Sequence, residues 1–258
     1  MENNHITIDI NEGLTLTQNK NGLTFGSDAY LLAAFTQTLP LTAGGKAIAD
    51  LGSGTGIIPL LCAEKKRFSE IYAVEIQESF AELIRINAEQ NHFSDMIKPV
   101  CADIRNVKAI TLGREVDVVT ANPPYMTADA GKRNEHDEKY IARHEVYGEI
   151  SDFCACARRI LKHGGKFLTV WRPDRLEDLM VALRENGLEP KRQIFVCAHP
   201  KAEPSMVLTE AIKGANPGMR VTRPLFLADS AENYINNIQS DDARAIYDNC
   251  SFAKFFEL

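Results

Sequence analysis

No uninterrupted apolar stretch in the sequence approaches the ~18 residues of a membrane span. The N-terminus, Met1-Glu2-Asn3-Asn4-His5, lacks a basic leader followed by an apolar core. A cytoplasmic location without membrane association is therefore expected. Cysteine is sparse and dispersed, at positions 62, 101, 154, 156, 197 and 250, with no Cys-x-x-Cys pair and no clustered histidine. No metal site is expected from such a distribution. Cys154-Ala155-Cys156 places its thiols on different faces of a helix, which fits buried small hydrophobes better than a redox pair. Basic charge is also in deficit: 29 Lys+Arg against 35 Asp+Glu leave a net charge of −6. That balance argues against an extended non-specific nucleic-acid face while leaving room for a local basic patch. Internal repeats, low-complexity tracts and shifts of composition are lacking, so a single domain over 1–258 is expected. A monomer is favoured, with nothing in the chain to fix the oligomeric state.

What is present is an ordinary globular composition, 45% hydrophobic and 25% charged, on a chain of 258 residues that can bury a sizeable core. An N-terminal extension of about 1–45 alternates apolar and polar residues (Ile6, Ile8, Ile10, Leu14, Leu16) around Asn11-Glu12-Gly13, with a second turn at Asn19 to Gly22. This pattern predicts a short β-hairpin. Gly26-Ser27-Asp28 then precedes the helical stretch Ala29 to Phe35. Ser27 or Asp28 fits an N-cap, and a ligand role is equally open for both.

A buried strand leads into Asp50-Leu51-Gly52-Ser53-Gly54-Thr55-Gly56 and a helix start at Ile57. Such a strand, glycine turn and helix present backbone closely to a ligand. A dinucleotide fingerprint requires G-x-G-x-x-G, but here Ile57 stands where the third glycine would fall. Asp50 suits a cationic amino group rather than a pyrophosphate. Together these features favour S-adenosylmethionine over a nicotinamide cofactor.

The strand Ile71 to Glu75 ends in an acid about one βα unit later, where ribose hydroxyls are held in adenosine cofactor sites. The helix Glu78 to Asn91 follows, and the strand Ile97 to Cys101 ends in Ala102-Asp103-Ile104. Asp103 is placed to accept the adenine N6 hydrogens, with Ile104 against the ring. Singly, Glu75 and Asp103 fit solvated acids or caps; acids at the ends of three consecutive strands favour the ligand role.

The β-branched run Val116 to Ala121 delivers Asn122-Pro123-Pro124-Tyr125 to the same edge. Proline ends strand pairing, biases Asn122 to an extended backbone and leaves a stiff rim rich in acceptors. An exocyclic amine is a poor nucleophile because its lone pair is delocalised. The Asn122 side-chain oxygen and the Pro123 carbonyl can each accept one amine hydrogen, which pyramidalises the nitrogen and frees the pair. Tyr125 can stack on the attached ring for about 1–3 kcal/mol. A bare tight turn, or a proline-rich ligand for an adaptor domain, is the simpler alternative.

Residues 126–148 are polar and aperiodic, as in a substrate lid or a surface loop. Beyond them the pattern predicts a helix over 149–162, a turn at Gly164-Gly165, a strand over Lys166 to Trp171 and a helix over about 174–186. Two strands, Gln193 to Ala198 and Ser205 to Lys213, form a hairpin. The expected fold is thus α/β: a mainly parallel open sheet with helices on both faces, an antiparallel edge strand and the N-terminal β-hairpin. The core spans about 46–227, followed by a helical tail over about 228–258.

Taken together, these motifs resemble the Rossmann-like class I S-adenosylmethionine-dependent methyltransferases that act on exocyclic nitrogens. More narrowly, the chain is similar to the bacterial tRNA (adenine-N6) methyltransferases that modify the adenine 3′ of the valine anticodon. The resemblance rests on Gly26 to Leu32, Asp50 to Gly56, Val74-Glu75, Ala102-Asp103-Ile104 and Asn122 to Tyr125. Ala142-Arg143-His144-Glu145 and Arg223 to Leu227 fit as well. It implies cofactor contacts from Gly26, Ser27, Asp28, Asp50, Gly52, Gly54, Gly56, Glu75, Ile76, Asp103, Ile104 and Asn122, and catalysis by Asn122, Pro123, Pro124 and Tyr125. Gly26-Ser27-Asp28 would close over the methionine end of the cofactor. A tRNA substrate then needs Lys132, Arg133, Lys139, Arg143, Lys201, Lys213, Arg220 and Arg223 to gather in the fold. The alternatives are glutamine N5 methylation of a protein, guanine N2 methylation of ribosomal RNA, and a binding module without activity. Glutamine methyltransferases usually carry a helical N-terminal domain, for which the residues before Asp50 leave little room.

Overall fold

In the computed structural model, which describes residues 5–11, 13–20, 26–40, 46–123 and 148–256, the β-branched runs assemble into one open sheet. Its strands are β3 (Ala47–Leu51), β4 (Glu70–Glu75), β5 (Ile97–Cys101), β6 (Val116–Ala121), β7 (Leu161–Trp171), β8 (Leu188–Cys197) and β9 (Pro204–Lys213). Two short strands, β10 (Arg220–Val221) and β11 (Leu225–Phe226), both pair in parallel with β8. The order across the sheet is β5-β4-β3-β6-β7-β9-β8-β10. Neighbours from β5 to β7 are parallel, whereas β9 runs antiparallel to both β7 and β8.

The reversed strand is therefore not the outermost one. β9 folds back into the slot between β7 and β8, inside the expected edge, and its residues Val207 to Ala211 are all buried. A continuous buried run is what a strand covered on both faces requires. The Gly164-Gly165 turn is likewise absorbed into β7, where a register shift opposite Val116 to Val118 takes up the extra residues.

Alternate side chains of each strand serve opposite faces of the sheet. Ile48, Ile71, Val118 and Leu168 pack with α1 (Ser27–Gln37), α2 (Ile57–Glu64) and α3 (Glu78–Gln90). Leu51, Val74, Val119 and Phe167 pack on the other side, where α4 (Ala109–Leu112), α5 (Ile150–Ile160) and α6 (Leu176–Glu185) contribute Leu112, Phe153, Ala157 and Leu179. Cys154 and Cys156 on α5 are both buried, and burial pushes their thiols up to about 12 and about 11. The tail forms α7 (Ala231–Ile235), α8 (Asp241–Asn249) and α9 (Ala253–Phe256). Its Ile246, Phe252 and Phe255 join the core against α1, with Phe252 and Phe35 rings 6.1 Å apart. Among the described residues no helix is long and apolar enough to cross a membrane.

The N-terminal hairpin, β1 (His5–Asn11) and β2 (Leu14–Asn19), is a separate antiparallel pair that lies on α3. The free edge of β2 is met by two asparagines one helical turn apart. Asn87 Oδ1 accepts from the Thr17 amide at 2.7 Å, and its Nδ2 donates to the Thr17 carbonyl at 3.0 Å. Asn91 repeats the pattern at Thr15, with 2.9 and 2.8 Å. Residues four apart on a helix and two apart on a strand share one face each, so paired amides on α3 stand in for a neighbouring strand. Asn87 Nδ2 also reaches the Thr55 carbonyl at 2.9 Å, tying the hairpin to the glycine turn.

Asn87→Ala is expected to lower the unfolding free energy by about 2–4 kcal/mol, because it strands a buried amide and two carbonyls. Asn91→Ala, at a half-buried position, should cost about 1 kcal/mol. Denaturant titration of the two variants measures this; equal, negligible losses would mean that apolar packing alone holds the hairpin.

Candidate active site

The carboxyl ends of β3, β4, β5 and β6 share one edge of the sheet, and the acids expected there are present. Asp50, at the penultimate position of β3, is 1% exposed. The β3–β6 register sets it beside Thr120, whose hydroxyl donates to Asp50 Oδ1 at 2.7 Å. Asp50 Oδ2 is buried and has no hydrogen-bond partner among the described residues. Burial pushes the Asp50 carboxyl up to about 7; the nearby Glu75 charge adds to the rise, while bonds to Thr120 and Ser53 oppose it. An orphaned, buried carboxylate oxygen is an acceptor waiting for a donor, best of all a cationic one.

The glycine turn takes its shape from left-handed backbone. Gly52, Gly54 and Gly56 have φ of 72°, 54° and 87°, conformations that side chains resist. A Cβ on Gly52 would also press on the Phe153 ring at 3.4 Å, and one on Gly56 would meet Ile84 at 3.2 Å. The turn is pinned to β4: the Gly52 and Ser53 amides donate to the Val74 carbonyl at 2.9 and 3.0 Å. Glu75, only 5% exposed, accepts from the Gly54 amide through Oε2 at 2.9 Å and from the Gln77 amide through Oε1 at 3.0 Å. Each carboxylate oxygen retains a further lone pair.

Asn122 and Pro123 follow β6, the first half-buried and the second buried. Asn122 Nδ2 donates to Asp28 Oδ2 at 2.9 Å, a contact between positions 94 residues apart. Asp28 Oδ1 accepts from the Ala29 amide at 3.0 Å. The N-cap of α1 is Gly26 rather than Ser27 or Asp28, which both lie in the first helical turn. With the cap one residue earlier, the Asp28 carboxylate folds back over Gly26, where a Cβ would meet Oδ1 at 2.7 Å. Asp28 therefore stabilises the helix start and engages Asn122 at once. Pro124, Tyr125, residues 126–147 and the Ala142 to Glu145 motif lie outside the described residues.

The family model described as "Methyltransferase small domain" matches residues 25–185, the span that carries Asp28, the glycine turn, Glu75, Asp103 and Asn122. The chain belongs to the methyltransferase small domain family. Among curated proteins it is similar to the "tRNA1(Val) (adenine(37)-N6)-methyltransferase" of Phocaeicola vulgatus, 29% identical over 75% of this chain and 79% of that protein. The protein of the same name from Trichodesmium erythraeum is 26% identical over 79% and 83%. Among solved structures the fold is shared with a predicted O-methyltransferase from Agrobacterium tumefaciens, with a TM-score of 0.62, 20% identity and coverage of 83% of this chain and 97% of that one. It is also shared with the Thermus thermophilus 16S rRNA N2 G1207 methyltransferase in complex with AdoMet and guanosine, with a TM-score of 0.54, 19% identity and coverage of 81% and 50%.

Asp103 reaches the same edge of this methyltransferase domain, but its carboxylate is gripped by Arg105. Nε lies 2.9 Å from both oxygens and Nη2 lies 2.6 Å from Oδ2, which holds the group below the usual carboxylate range. An adenine amino group would share Asp103 with that guanidinium. Ile104 is buried beside it, and Ile76 is half-buried at the end of β4. Among the described residues no cluster of His, Cys, Asp and Glu is able to hold a metal.

Among the described residues the basic side chains do not form one patch. Lys213 ends a strand that runs the other way, so it sits at the opposite edge of the sheet, 9% exposed, with its ammonium on the Leu161 carbonyl. Arg223 is tied to Asp242 at 2.8 Å and lies over the Phe255 ring at 4.1 Å. Lys201, at the tip of the β8–β9 hairpin, is exposed on the site edge. Lys132, Arg133, Lys139 and Arg143 lie outside the described residues.

Thr120 and Asn87 escaped the motif-based reading. Thr120 is a lone hydroxyl in an apolar central strand, and that is the signal that could have marked it. Asn87 is an amide on the apolar face of α3.

Since the folded-state value of Asp50, about 7, exceeds its ordinary 3.8, its ionisation costs stability. The ligand-free protein should lose stability as pH rises between those values and no more above them. A cation bound at Asp50 favours the ionised form, so affinity for S-adenosylhomocysteine should rise about tenfold per pH unit below that value and then level off. Calorimetric titration across the interval from about pH 5 to about pH 8 checks this. Asp50→Asn should bind more weakly and flatten the profile; an unchanged slope would remove Asp50 from the site.

Proposed function

We propose that this chain transfers the methyl group of S-adenosylmethionine to the exocyclic N6 of an adenine in tRNA, the anticodon-loop adenine of a valine tRNA in particular. The observation that carries the reading is the Asn122–Asp28 hydrogen bond of 2.9 Å at the end of β6. It stands on the sheet edge that also carries the partnerless Asp50 Oδ2. The names of the curated relatives supply the substrate.

The residues present fit the cofactor. Asp50 Oδ2 offers an unused acceptor to its α-amino group, and Gly52 and Gly54 bring bare backbone to it. Glu75 keeps lone pairs for ribose hydroxyls, Ile76 and Ile104 offer apolar contact, and Asp103 can accept from the adenine amine. Bound there, the sulfonium group supplies an electrophilic methyl.

Asp28 sets the orientation of Asn122. A carboxylate accepts and cannot donate, so the NH2 half of the amide faces Asp28 and the oxygen half is turned away from it. Asn122 Oδ1 and the Pro123 carbonyl then accept the two hydrogens of the target amine. The nitrogen pyramidalises, its lone pair is freed, and the displaced proton leaves to solvent after the N–C bond has formed. No titrating base is required. By resemblance, Tyr125 stacks on the adenine and Pro124 stiffens the rim. An unpaired loop adenine is extruded more cheaply than a base inside a duplex, which favours an RNA loop.

Transfer of labelled methyl from S-adenosylmethionine to tRNA, to a glutamine-bearing release factor and to duplex DNA tests the substrate. Label in tRNA at adenine N6 is expected; label in the release factor alone would overturn the reading, and label at guanine N2 would redirect it. Asn122→Ala should keep cofactor affinity within about twofold while turnover falls by about a hundredfold or more, as when a preorganised dipole is removed. An unchanged rate would refute the role of that amide.

A further inference from the structure

We propose that the cleft bordered by Tyr30, Tyr234 and Tyr247 is a stacking subsite for a nucleobase adjacent to the methylated one in single-stranded RNA. The inference rests on the RNA reading above and adds a second point of contact to it.

The cleft, about 440 Å3, lies between the start of α1 and the C-terminal segment. Gly26 and Ser27 form part of its wall, and the next residue, Asp28, holds Asn122. The cleft therefore adjoins the segment whose Asp28 engages Asn122. The Ser27 side chain meets the Tyr247 hydroxyl, and the Tyr30 and Tyr247 rings stand edge to face at 5.8 Å and 77°. Asn237 and Gln239 line it as well. A lining of aromatic and amide residues matches a base, which has two π faces and an edge of donors and acceptors.

The wall contributed by α7 has a second property. None of the residues of α7 is buried. Tyr234, Ile235 and Ile238 are 49%, 78% and 49% exposed. The segment is held by backbone groups and two serine hydroxyls: the Asn233 amide donates to Ser230 Oγ at 3.1 Å, the Ile238 amide to the Asn233 carbonyl at 2.8 Å and Ser240 Oγ to the Phe226 carbonyl at 2.7 Å. A ledge fixed in this way leaves its apolar side chains for a partner.

A cation follows closely along the chain from a residue beside Tyr234. The His199 ring lies 6.3 Å from that of Tyr234. Lys201, two residues on, is exposed and has no ion pair among the described residues. Aromatic rings with an exposed ammonium in reach are the usual pairing for single-stranded nucleic acid, the rings taking bases and the ammonium a phosphate. This arrangement also accommodates the acidic net charge, because recognition needs a few local contacts and no broad basic face.

The test uses the full chain, a synthetic anticodon stem-loop, and the same stem-loop with an abasic residue on either side of the target adenine. Tyr234→Ala should raise KM for the intact RNA about five- to hundredfold, far more than it lowers kcat, with S-adenosylhomocysteine affinity unaltered. Tyr234→Trp should restore KM. One of the abasic substrates should carry a similar penalty with the unaltered protein and none beyond it with Tyr234→Ala. An unchanged KM in Tyr234→Ala, or the same abasic penalty in both proteins, would overturn the subsite. If the unaltered protein methylates RNA while Tyr234→Ala matches it, the subsite alone falls. If it labels protein glutamine and no RNA, the substrate reading falls and the subsite with it.

Discussion

One hydrogen bond organises the site: Asn122 Nδ2 to Asp28 Oδ2, 2.9 Å, between a strand end and a helix start that are 94 residues apart. An asparagine amide has two halves of opposite character, and only one of them can hold an amine hydrogen. With a carboxylate on the donor half, the choice is made by chemistry rather than by side-chain freedom. The rest of the fold serves to bring these two groups together. β6 is fixed in the middle of the parallel sheet, and α1 is fixed by Phe35, Phe252 and the tail helices.

The acids behind that pair are held by register. Asp50 and Thr120 lie opposite one another in adjacent strands, and Glu75 buttresses the glycine turn from the next strand over. Two buried carboxylates at neighbouring strand ends repel each other, and burial already disfavours charge on Asp50. Ionisation of Asp50 is thus disfavoured without a ligand, and a cation at its partnerless oxygen would favour it. Asn87 links this turn to the hairpin, so the N-terminal extension supports the glycine turn from behind.

Much of this was legible in the residues. The run Val116 to Ala121 ending in Asn-Pro-Pro marked a strand that must stop, and it does stop at Ala121. Asp50 and the three glycines announced a turn with bare backbone, and all three glycines have positive φ. What escaped depended on pairing between distant segments. Whether β9 lies at the edge or inside it is decided by which face of the hairpin meets β7, and alternation within a strand carries no such information. The burial of Lys213 also follows from tertiary placement, whereas the bidentate grip of Arg105 on Asp103 is a local contact between residues two apart that no motif marks. Asp28 looked like a helix cap as much as a ligand; the cap is Gly26, and the two Asp28 oxygens serve the Ala29 amide and Asn122 instead.

The most direct measurement is a double-mutant cycle on kcat, taken with saturating S-adenosylmethionine and tRNA, using Asp28→Ala, Asn122→Ala and the pair. If Asp28 acts by orienting the Asn122 amide, its removal slows the chemical step in the unaltered background and has almost no further effect once Asn122 is alanine. Equal losses from Asp28→Ala in both backgrounds would show that the two side chains act independently and would contradict the account.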